Sequence, residues 1–200
     1  MDTNKILKRA VQIVLIMVLV LFTKCIIKKV YYANQRTIGE KIDSFNNIPV
    51  YYNGSTATNL GRNRSAEGYN YGLKYQCVEF VKRYYYDHLN HKMPNTFGHA
   101  KDFYNPNLKD NERNSDRNLL QFSNPSNTKP KINDILIFDA NSFNPYGHVA
   151  IVSNVTNDEI EIIQQNPGRF GSSRETISLM QVNNKWELDK ASILGWLRKN

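Results

Sequence analysis

The chain has 200 residues, of which 40% are hydrophobic and 22% are charged. This length and composition fit one folded domain with one core, and they exclude both a disordered chain and a pair of large domains. The formal net charge is +8, but residues 1–29 hold six basic residues and one acidic residue. Because no basic run longer than two follows this segment, we expect no nucleic-acid partner.

The first predicted element is an apolar segment flanked by basic residues. Counted over residues 10–27 it has 18 residues, which just span a hydrocarbon core of roughly 30 Å if Lys24 extends toward the lipid headgroups. We interpret residues 1–29 as an uncleaved signal anchor that forms a transmembrane helix. A cleaved signal peptide is one alternative, although no small-x-small pattern follows Phe22. Lipidation of Cys25 is another, although Lys24 stands where a small residue is expected.

The anchor leads into a tether and then into a catalytic domain. Residues 30–47 are polar with scattered aromatic residues, and we expect them to form the tether to a domain over residues 48–200. The domain begins with a short strand that Pro49 confines to an edge or a strand start. After a loop, apolar residues recur at helical spacing over residues 76–89, with Cys77 in the first turn.

The second half of the chain predicts a sheet. Alternating apolar residues predict strands over residues 135–139, 148–153, 159–165 and 192–197. The second and third of these are joined by a connection short enough for an antiparallel hairpin, which brings His148 opposite about residue 164. Period-two alternation then puts Gln164 and Asn166 on one face, beside the imidazole.

These elements supply the parts of a cysteine nucleophile site, which needs a thiolate, a base, an orienting group and oxyanion donors. We expect Cys77 to have a lowered pKa, because a helix start and a neighbouring imidazolium both favour a thiolate. His148 follows Gly147, which permits close backbone approach, and Gln164 or Asn166 would accept from its second ring nitrogen. Free N–H groups of the first helical turn would hold the oxyanion.

Each candidate also has a structural interpretation. A lone cysteine in a helix is most often a small buried hydrophobe, and a lone histidine in a strand most often serves packing. The other three histidines, His88, His91 and His99, do not match a usual zinc-ligand spacing. We therefore expect no metal ion and no cofactor.

Five short runs of sequence carry a resemblance to a known family. The runs KYQCVEF, NDILIF, GHVAIV, IQQN and ILGW occur in this order between residues 74 and 196. The pattern resembles a CHAP domain, the cysteine, histidine-dependent amidohydrolase/peptidase family. More narrowly, it is similar to the amidase domain of bifunctional glutathionylspermidine synthetase/amidase. The resemblance covers about residues 48–198 and implies a papain-like α+β fold, in which an N-terminal catalytic helix packs on an antiparallel β-sheet.

The resemblance also implies roles for single residues. Cys77 is the nucleophile, His148 is the base, and Gln164 takes the third position, with Asn166 as a competing orienter. Oxyanion or substrate-binding roles are expected for four neighbours of these motifs, namely Tyr75, Gln76, Gly147 and Gln165. The chain departs from the family at Gln164, where a Glu is usual. A neutral Gln can orient an imidazole, but it adds no charge that stabilises an imidazolium.

We interpret the chain as a membrane-tethered cysteine hydrolase that cleaves amide bonds of peptidoglycan, as an amidase or endopeptidase, through a thioester. A glutathionylspermidine amidase-like hydrolase of a small peptide–polyamine amide is the alternative, because the local sequence resembles that branch. A catalytically weak binding module is a second alternative, because of Gln164. We expect a monomer whose catalytic domain lies outside the cytoplasm, in the periplasm or at the cell surface, and is secreted if the signal is cleaved.

Overall fold

The structure is a computed structural model that describes residues 3–55, 57–168 and 171–200. The chain divides into two compact units, Met1–Arg36 and Thr37–Asn200. We describe each unit by itself.

The first unit contains the helix α1 (Thr3–Gln35). Its stretch Ile6–Lys28 has 23 residues with a mean hydropathy of 2.6, and none of it is buried. Twenty-three helical residues rise about 35 Å, which exceeds the roughly 30 Å of a hydrocarbon core. The stretch therefore has the length and composition of a membrane span, features that a signal sequence shares. It is longer than expected from the sequence, because the residues that flank the apolar core are also helical.

The segment expected to be a tether, residues 30–47, is structured. After α1 ends, the strand β1 (Lys41–Phe45) pairs antiparallel with β2 (Ile48–Tyr51). Asn46 and Asn47, which both have positive φ, make the two-residue turn between the strands. The second half of residues 30–47 therefore contributes a strand that pairs with β2.

The second unit combines one long helix with antiparallel strands over its described residues. Its helical elements are α2 (Cys77–Asp87) and a 3₁₀ turn at Lys101–Phe103. The strands after β2 are β3 (Arg62–Arg64), β4 (Asn70–Leu73), β5 (Glu112–Asn114), β6 (Leu119–Ser123), β7 (Ile135–Phe138), β8 (His148–Val155), β9 (Glu159–Ile163), β10 (Arg174–Val182), β11 (Lys185–Leu188) and β12 (Ile193–Arg198).

Eight of these strands form one sheet in the order β11-β10-β9-β8-β7-β12-β6-β5, and every neighbouring pair is antiparallel. The pairs β1–β2 and β3–β4 form two small sheets. The predicted α+β class, with the cysteine helix packed on an antiparallel sheet, is confirmed. The four strands predicted from alternation correspond to β7, β8, β9 and β12, although β9 ends at Ile163, one residue before Gln164.

Alternation along the strands divides the core into two layers. On one face of the sheet, Val149 and Ile151 of β8 pack in a cluster with Phe80 of α2. On the other face, Ala150 of the same strand packs in a cluster around the fully buried Trp196. Burying each large apolar side chain contributes about 1.5–3 kcal/mol. This packing holds the start of α2 against the start of β8.

Candidate active site

The chain makes a sharp turn into α2 immediately before the candidate nucleophile. Tyr75 has φ 64°, and Gln76 is the N-cap residue with an extended backbone of φ −83° and ψ 161°. Cys77 is then the first residue of the helix, and its side chain is buried. Gly72 lets β4 approach the first turn closely, since a Cβ there would lie 3.3 Å from the backbone nitrogen of Glu79.

The Cys77 sulfur lies against the first residues of β8. Burial raises the pKa of the Cys77 thiol, and the backbone N–H groups of Val149, Val78 and Cys77 itself oppose the rise. The sequence predicted a lowered pKa. The structure gives the opposite direction, because desolvation of the thiolate outweighs what the first-turn N–H groups contribute. At neutral pH the Cys77 side chain is therefore a thiol, placed beside the residue that follows His148.

Gln164 holds the His148 ring, as the hairpin spacing predicts. His148 Nε2 lies 2.9 Å from Gln164 Oε1. The Gln164 amide donates through Nε2 to the Ser172 carbonyl at 3.1 Å, which fixes Oε1 as the atom that faces the ring. An amide oxygen only accepts, so His148 Nε2 carries the proton and Nδ1 is the unprotonated nitrogen. A general base needs this tautomer.

Burial lowers the pKa of His148 to about 4, although the hydrogen bond that the ring donates to Gln164 raises it. At neutral pH the ring is therefore an uncharged imidazole, ready to accept a proton. Within the described ranges, no direct hydrogen bond joins the Cys77 sulfur to the His148 ring. Val149, the residue after His148, directs its N–H group at the sulfur.

Asn166 contacts a different part of the site from the one predicted. Its Nδ2 donates to Gln76 Oε1 at 2.6 Å, and Gln76 Nε2 donates to the Thr58 carbonyl at 2.9 Å. The Asn166 side chain binds Gln76 and not the His148 ring, because the chain leaves the extended conformation at Asn166, with φ 56°. The Gln76 amide thus accepts from Asn166 and donates to the Thr58 carbonyl.

The Gln165 side chain is fully buried and joins three segments by hydrogen bonds, at a position where the sequence predicts substrate binding. Its Oε1 accepts from the Tyr51 N–H group at 2.8 Å. Its Nε2 donates to the Gln76 carbonyl at 3.0 Å and to Glu79 Oε2 at 2.7 Å. Both amide hydrogens and the amide oxygen are thus used within the protein. In this geometry the Gln165 amide has no free N–H group for a substrate.

Glu79 is a site residue that the sequence analysis missed. Its carboxylate is fully buried and receives Arg83 Nε at 2.6 Å and Asn63 Nδ2 at 2.7 Å, besides Gln165. Arg83 continues to the Pro49 carbonyl at 3.0 Å. The i,i+4 spacing of Glu79 and Arg83 was a signal for an ion pair. It did not reveal that the pair is buried.

Tyr75 and Gly147, the other two residues expected to bind substrate, support the backbone of the site. The Tyr75 ring packs 5.2 Å from the Tyr51 ring. Gly147 has φ 72°, and a Cβ there would lie 2.7 Å from the Phe138 carbonyl oxygen. Only glycine fits both constraints, so Gly147 allows β8 to start where it does. Its neighbour Tyr146 is exposed.

The three other histidines lie in separate surroundings. His91 Nε2 lies 2.8 Å from the Arg117 carbonyl oxygen. The ring of His99 packs 4.7 Å from Tyr146, and that of His88 packs 5.1 Å from Tyr84. Over the part of the chain that the structure describes, no group of three or more His, Cys, Asp or Glu side chains converges as a metal site.

Three known proteins show similarity to parts of this chain. Trypanothione synthetase of Crithidia fasciculata is 27% identical over 119 residues, which are 60% of this chain and 18% of that protein. The chain thus spans less than a fifth of the length of this relative. Among solved structures, Ly7917 is 18% identical with a TM-score of 0.38, over 62% of this chain and 53% of that one. The endolysin LysIME-EF1 is 15% identical with a TM-score of 0.40, over 86% of this chain and 62% of that one.

A family model gives the assignment. The model described as the CHAP domain matches residues 66–166, a range that includes Cys77, His148 and Gln164. The match covers half of the chain and contains both the start of α2 and the β8–β9 hairpin. The chain belongs to the CHAP domain family.

Proposed function

We propose that the chain is a cysteine-dependent hydrolase of amide bonds in peptidoglycan, with Cys77 as the nucleophile and His148 as the base. One observation carries the proposal: Gln164 holds His148 Nε2 at 2.9 Å in the tautomer that leaves Nδ1 free. The sulfur faces the N–H group of Val149, the next residue. Membership of the CHAP domain family supports amide hydrolysis in general.

The reaction begins with a neutral pair. Rotation of the Cys77 or His148 side chain brings the thiol to Nδ1, which takes the proton as the sulfur attacks the amide carbonyl carbon. The N–H groups of Cys77 and Val78, at the start of α2, stabilise the oxyanion. The C–N bond then breaks, and the imidazolium gives its proton to the leaving amine. The product left on the enzyme is a thioester.

Hydrolysis of the thioester completes the cycle. His148 removes a proton from water as the oxygen attacks the thioester carbonyl, and the C–S bond breaks. The acid leaves, and the proton returns to the sulfur. Gln164 stays hydrogen-bonded to Nε2 throughout and keeps the ring in orientation. As a neutral amide, it adds less stabilisation to the imidazolium than a carboxylate would.

The proposed substrate follows from the N-terminal unit. α1 carries a 23-residue apolar stretch, and an anchor of this kind holds a domain beside the membrane. We infer that the domain lies outside the cytoplasm, where peptidoglycan is the abundant amide polymer. The similarity to trypanothione synthetase supports a second candidate, hydrolysis of a small peptide–polyamine amide. Digestion separates the two candidates.

The test incubates the purified protein with peptidoglycan fragments and with glutathionylspermidine, and identifies new termini by mass spectrometry. We expect cleavage of peptidoglycan, and a loss of at least about a thousandfold in kcat for Cys77→Ala. Cys25→Ala is the matched control, because it removes the other cysteine and leaves the site intact. Full activity in Cys77→Ala contradicts the nucleophile assignment. Cleavage of glutathionylspermidine alone selects the second substrate class, and cleavage of neither substrate favours a binding module.

A further inference from the structure

Three consecutive amide side chains after β9 connect the two halves of the candidate site. We call Gln164, Gln165 and Asn166 the amide clamp. We propose that the amide clamp sets the spacing between His148 and Cys77, and that Gln165 is its principal positioning residue. This inference rests on the proposed function, since it assigns residues that hold the same nucleophile and base.

The clamp contacts both catalytic segments within three residues of chain. Gln164 binds the His148 ring at 2.9 Å. Gln165 Nε2 binds the Gln76 carbonyl at 3.0 Å, and Asn166 Nδ2 binds Gln76 Oε1 at 2.6 Å. Because Gln76 immediately precedes Cys77, one short segment is tied at one side to the base and at the other side to the start of the nucleophile helix.

The pleat of an extended chain explains why the clamp works in two directions. Successive side chains of extended backbone point to opposite sides. Gln164 continues the pattern of β9, with its N–H group bonded to the Ser173 carbonyl at 2.9 Å, and its side chain goes to β8. Gln165 therefore turns toward α2. Asn166, with φ 56°, ends the extended run and returns its side chain to Gln76.

We expect a change at Gln165 to displace the start of α2 more than a change at Gln164 or Asn166, because Gln165 is the most deeply buried of the three. Gln165 is fully buried, and so is Glu79, which accepts from it at 2.7 Å. Hydrogen bonds in such surroundings are strong, and an unpaired partner is costly. The Gln76 carbonyl that Gln165 binds also accepts the Phe80 N–H group at 3.2 Å, the first hydrogen bond of α2. A shift of Gln165 therefore moves the turn that carries the sulfur and the oxyanion donors.

Gln165→Glu is the sharpest variant, because it keeps the size of the side chain and the acceptor for the Tyr51 N–H group. It replaces the donor by a carboxylate oxygen at the position that lies 2.7 Å from Glu79 Oε2. We expect kcat to fall by about 10- to 100-fold with KM changed by less than about threefold, because misplacement affects the reacting atoms and not substrate binding. Gln181→Glu, on an exposed part of β10, makes the same chemical change and should leave kcat unchanged.

A second readout needs no substrate. In a Cys25→Ala background, Cys77 is the remaining thiol, and its alkylation rate by iodoacetamide is measured against pH. We expect the midpoint of this profile in Gln165→Glu to move from the wild-type value toward that of His148→Ala, in which the base is absent. A residue that served stability alone would leave this midpoint where it is in the folded protein.

Urea unfolding and a milder variant keep the test decisive. Asn166→Asp removes the donor to Gln76 on a partly exposed residue, with exposed Asn157→Asp as its control. It should change kcat and the alkylation midpoint in the same direction as Gln165→Glu, by less. Unchanged kcat and midpoint in both clamp variants overturn the proposal, and so does a loss of kcat that only follows the unfolded fraction. If the wild type cleaves neither substrate and the midpoints still shift, the proposed function fails and the clamp stands.

Discussion

Two polar regions are joined by the neighbouring residues Gln164 and Gln165, and they are built differently. Around Glu79, a carboxylate and the Arg83 guanidinium are buried together, and the carboxylate also accepts from Asn63 and Gln165. The His148 ring, in contrast, is uncharged and forms its side-chain hydrogen bond with Gln164. We interpret the first region as a structural frame and the second as part of the proposed active site.

The two regions differ in how the protein compensates for removing polar groups from water. Burying a charge without partners is very unfavourable, so the Glu79 region keeps its charges and surrounds them with hydrogen bonds. His148 instead gives up its charge, since burial lowers its pKa to about 4. The Glu79 carboxylate is therefore held by several hydrogen bonds, whereas the uncharged His148 ring keeps an unprotonated nitrogen at neutral pH.

Glu79→Ala should have the largest effect on stability, because it removes the carboxylate and leaves the Arg83 charge buried and unpaired. We expect the free energy of unfolding to fall by about 3–5 kcal/mol, measured by urea denaturation. Glu67→Ala is the control, because Glu67 forms an exposed ion pair with Lys92 and its loss should leave stability unchanged. Equal effects of the two substitutions would show that burial does not distinguish the frame from the surface.

The pH profile of activity should show the neutral ring directly. His148 acts as a base only when uncharged, and its protonated form dominates only below a pKa of about 4. We therefore expect kcat/KM to persist as the pH falls from 7 to 5 and to decline through about pH 4. An acid limb near pH 6.5, the ordinary range of histidine, would contradict the burial of the ring.

Gln164→Glu sharpens this test, because a carboxylate facing Nε2 stabilises the imidazolium and raises the pKa of His148. The acid limb of kcat/KM should move to higher pH by about 1–2 units. Exposed Gln181→Glu adds the same charge away from the ring and should leave the limb in place. A limb that stays fixed in Gln164→Glu would show that this position does not act on the base.

Asp43→Ala should have the smallest effect, about 1 kcal/mol, because the pair is partly exposed. Asp43 binds Arg174 at 3.0 Å and Ser173 at 2.8 Å, which ties β1 to the start of β10. Burial raises the pKa of Asp43, but the hydrogen bonds from Arg174 and Ser173 outweigh this effect and lower the pKa below its usual value. The contribution is therefore full above about pH 4 and is lost as the pH falls further. Urea unfolding at pH 7 and pH 3 measures it, with exposed Asp189→Ala as the control.

The sequence was sufficient for the parts of the site that depend on local periodicity. Helical spacing placed Cys77 in a first turn, and the short connection between β8 and β9 brought His148 to Gln164, as observed at 2.9 Å. These inferences worked because a helix face and a hairpin register are decided by neighbours within about fifteen residues. The contact between α2 and β8 is not local, and the family resemblance was needed to expect it.

Other parts depend on contacts that local patterns do not contain. β1 was missed because its residues are mostly polar and its stability comes from β2 and from Arg174, more than 100 residues away. The Asn46-Asn47 pair was the available signal, since both positions of such a turn need positive φ. Glu79 was missed because a helical Glu is usually solvated. Asn166 was misplaced because alternation holds only while the backbone stays extended.

The tight packing at Gly147 has a practical consequence for engineering this enzyme. A Cβ at that position would meet the Phe138 carbonyl oxygen at 2.7 Å, so a mutational library at 147 yields misfolded or misaligned strands. The preceding Tyr146 is 57% exposed and tolerates exchange. Saturation mutagenesis at 146 with 147 held constant is therefore the change that we expect to alter selectivity, two residues from the proposed base and without moving it.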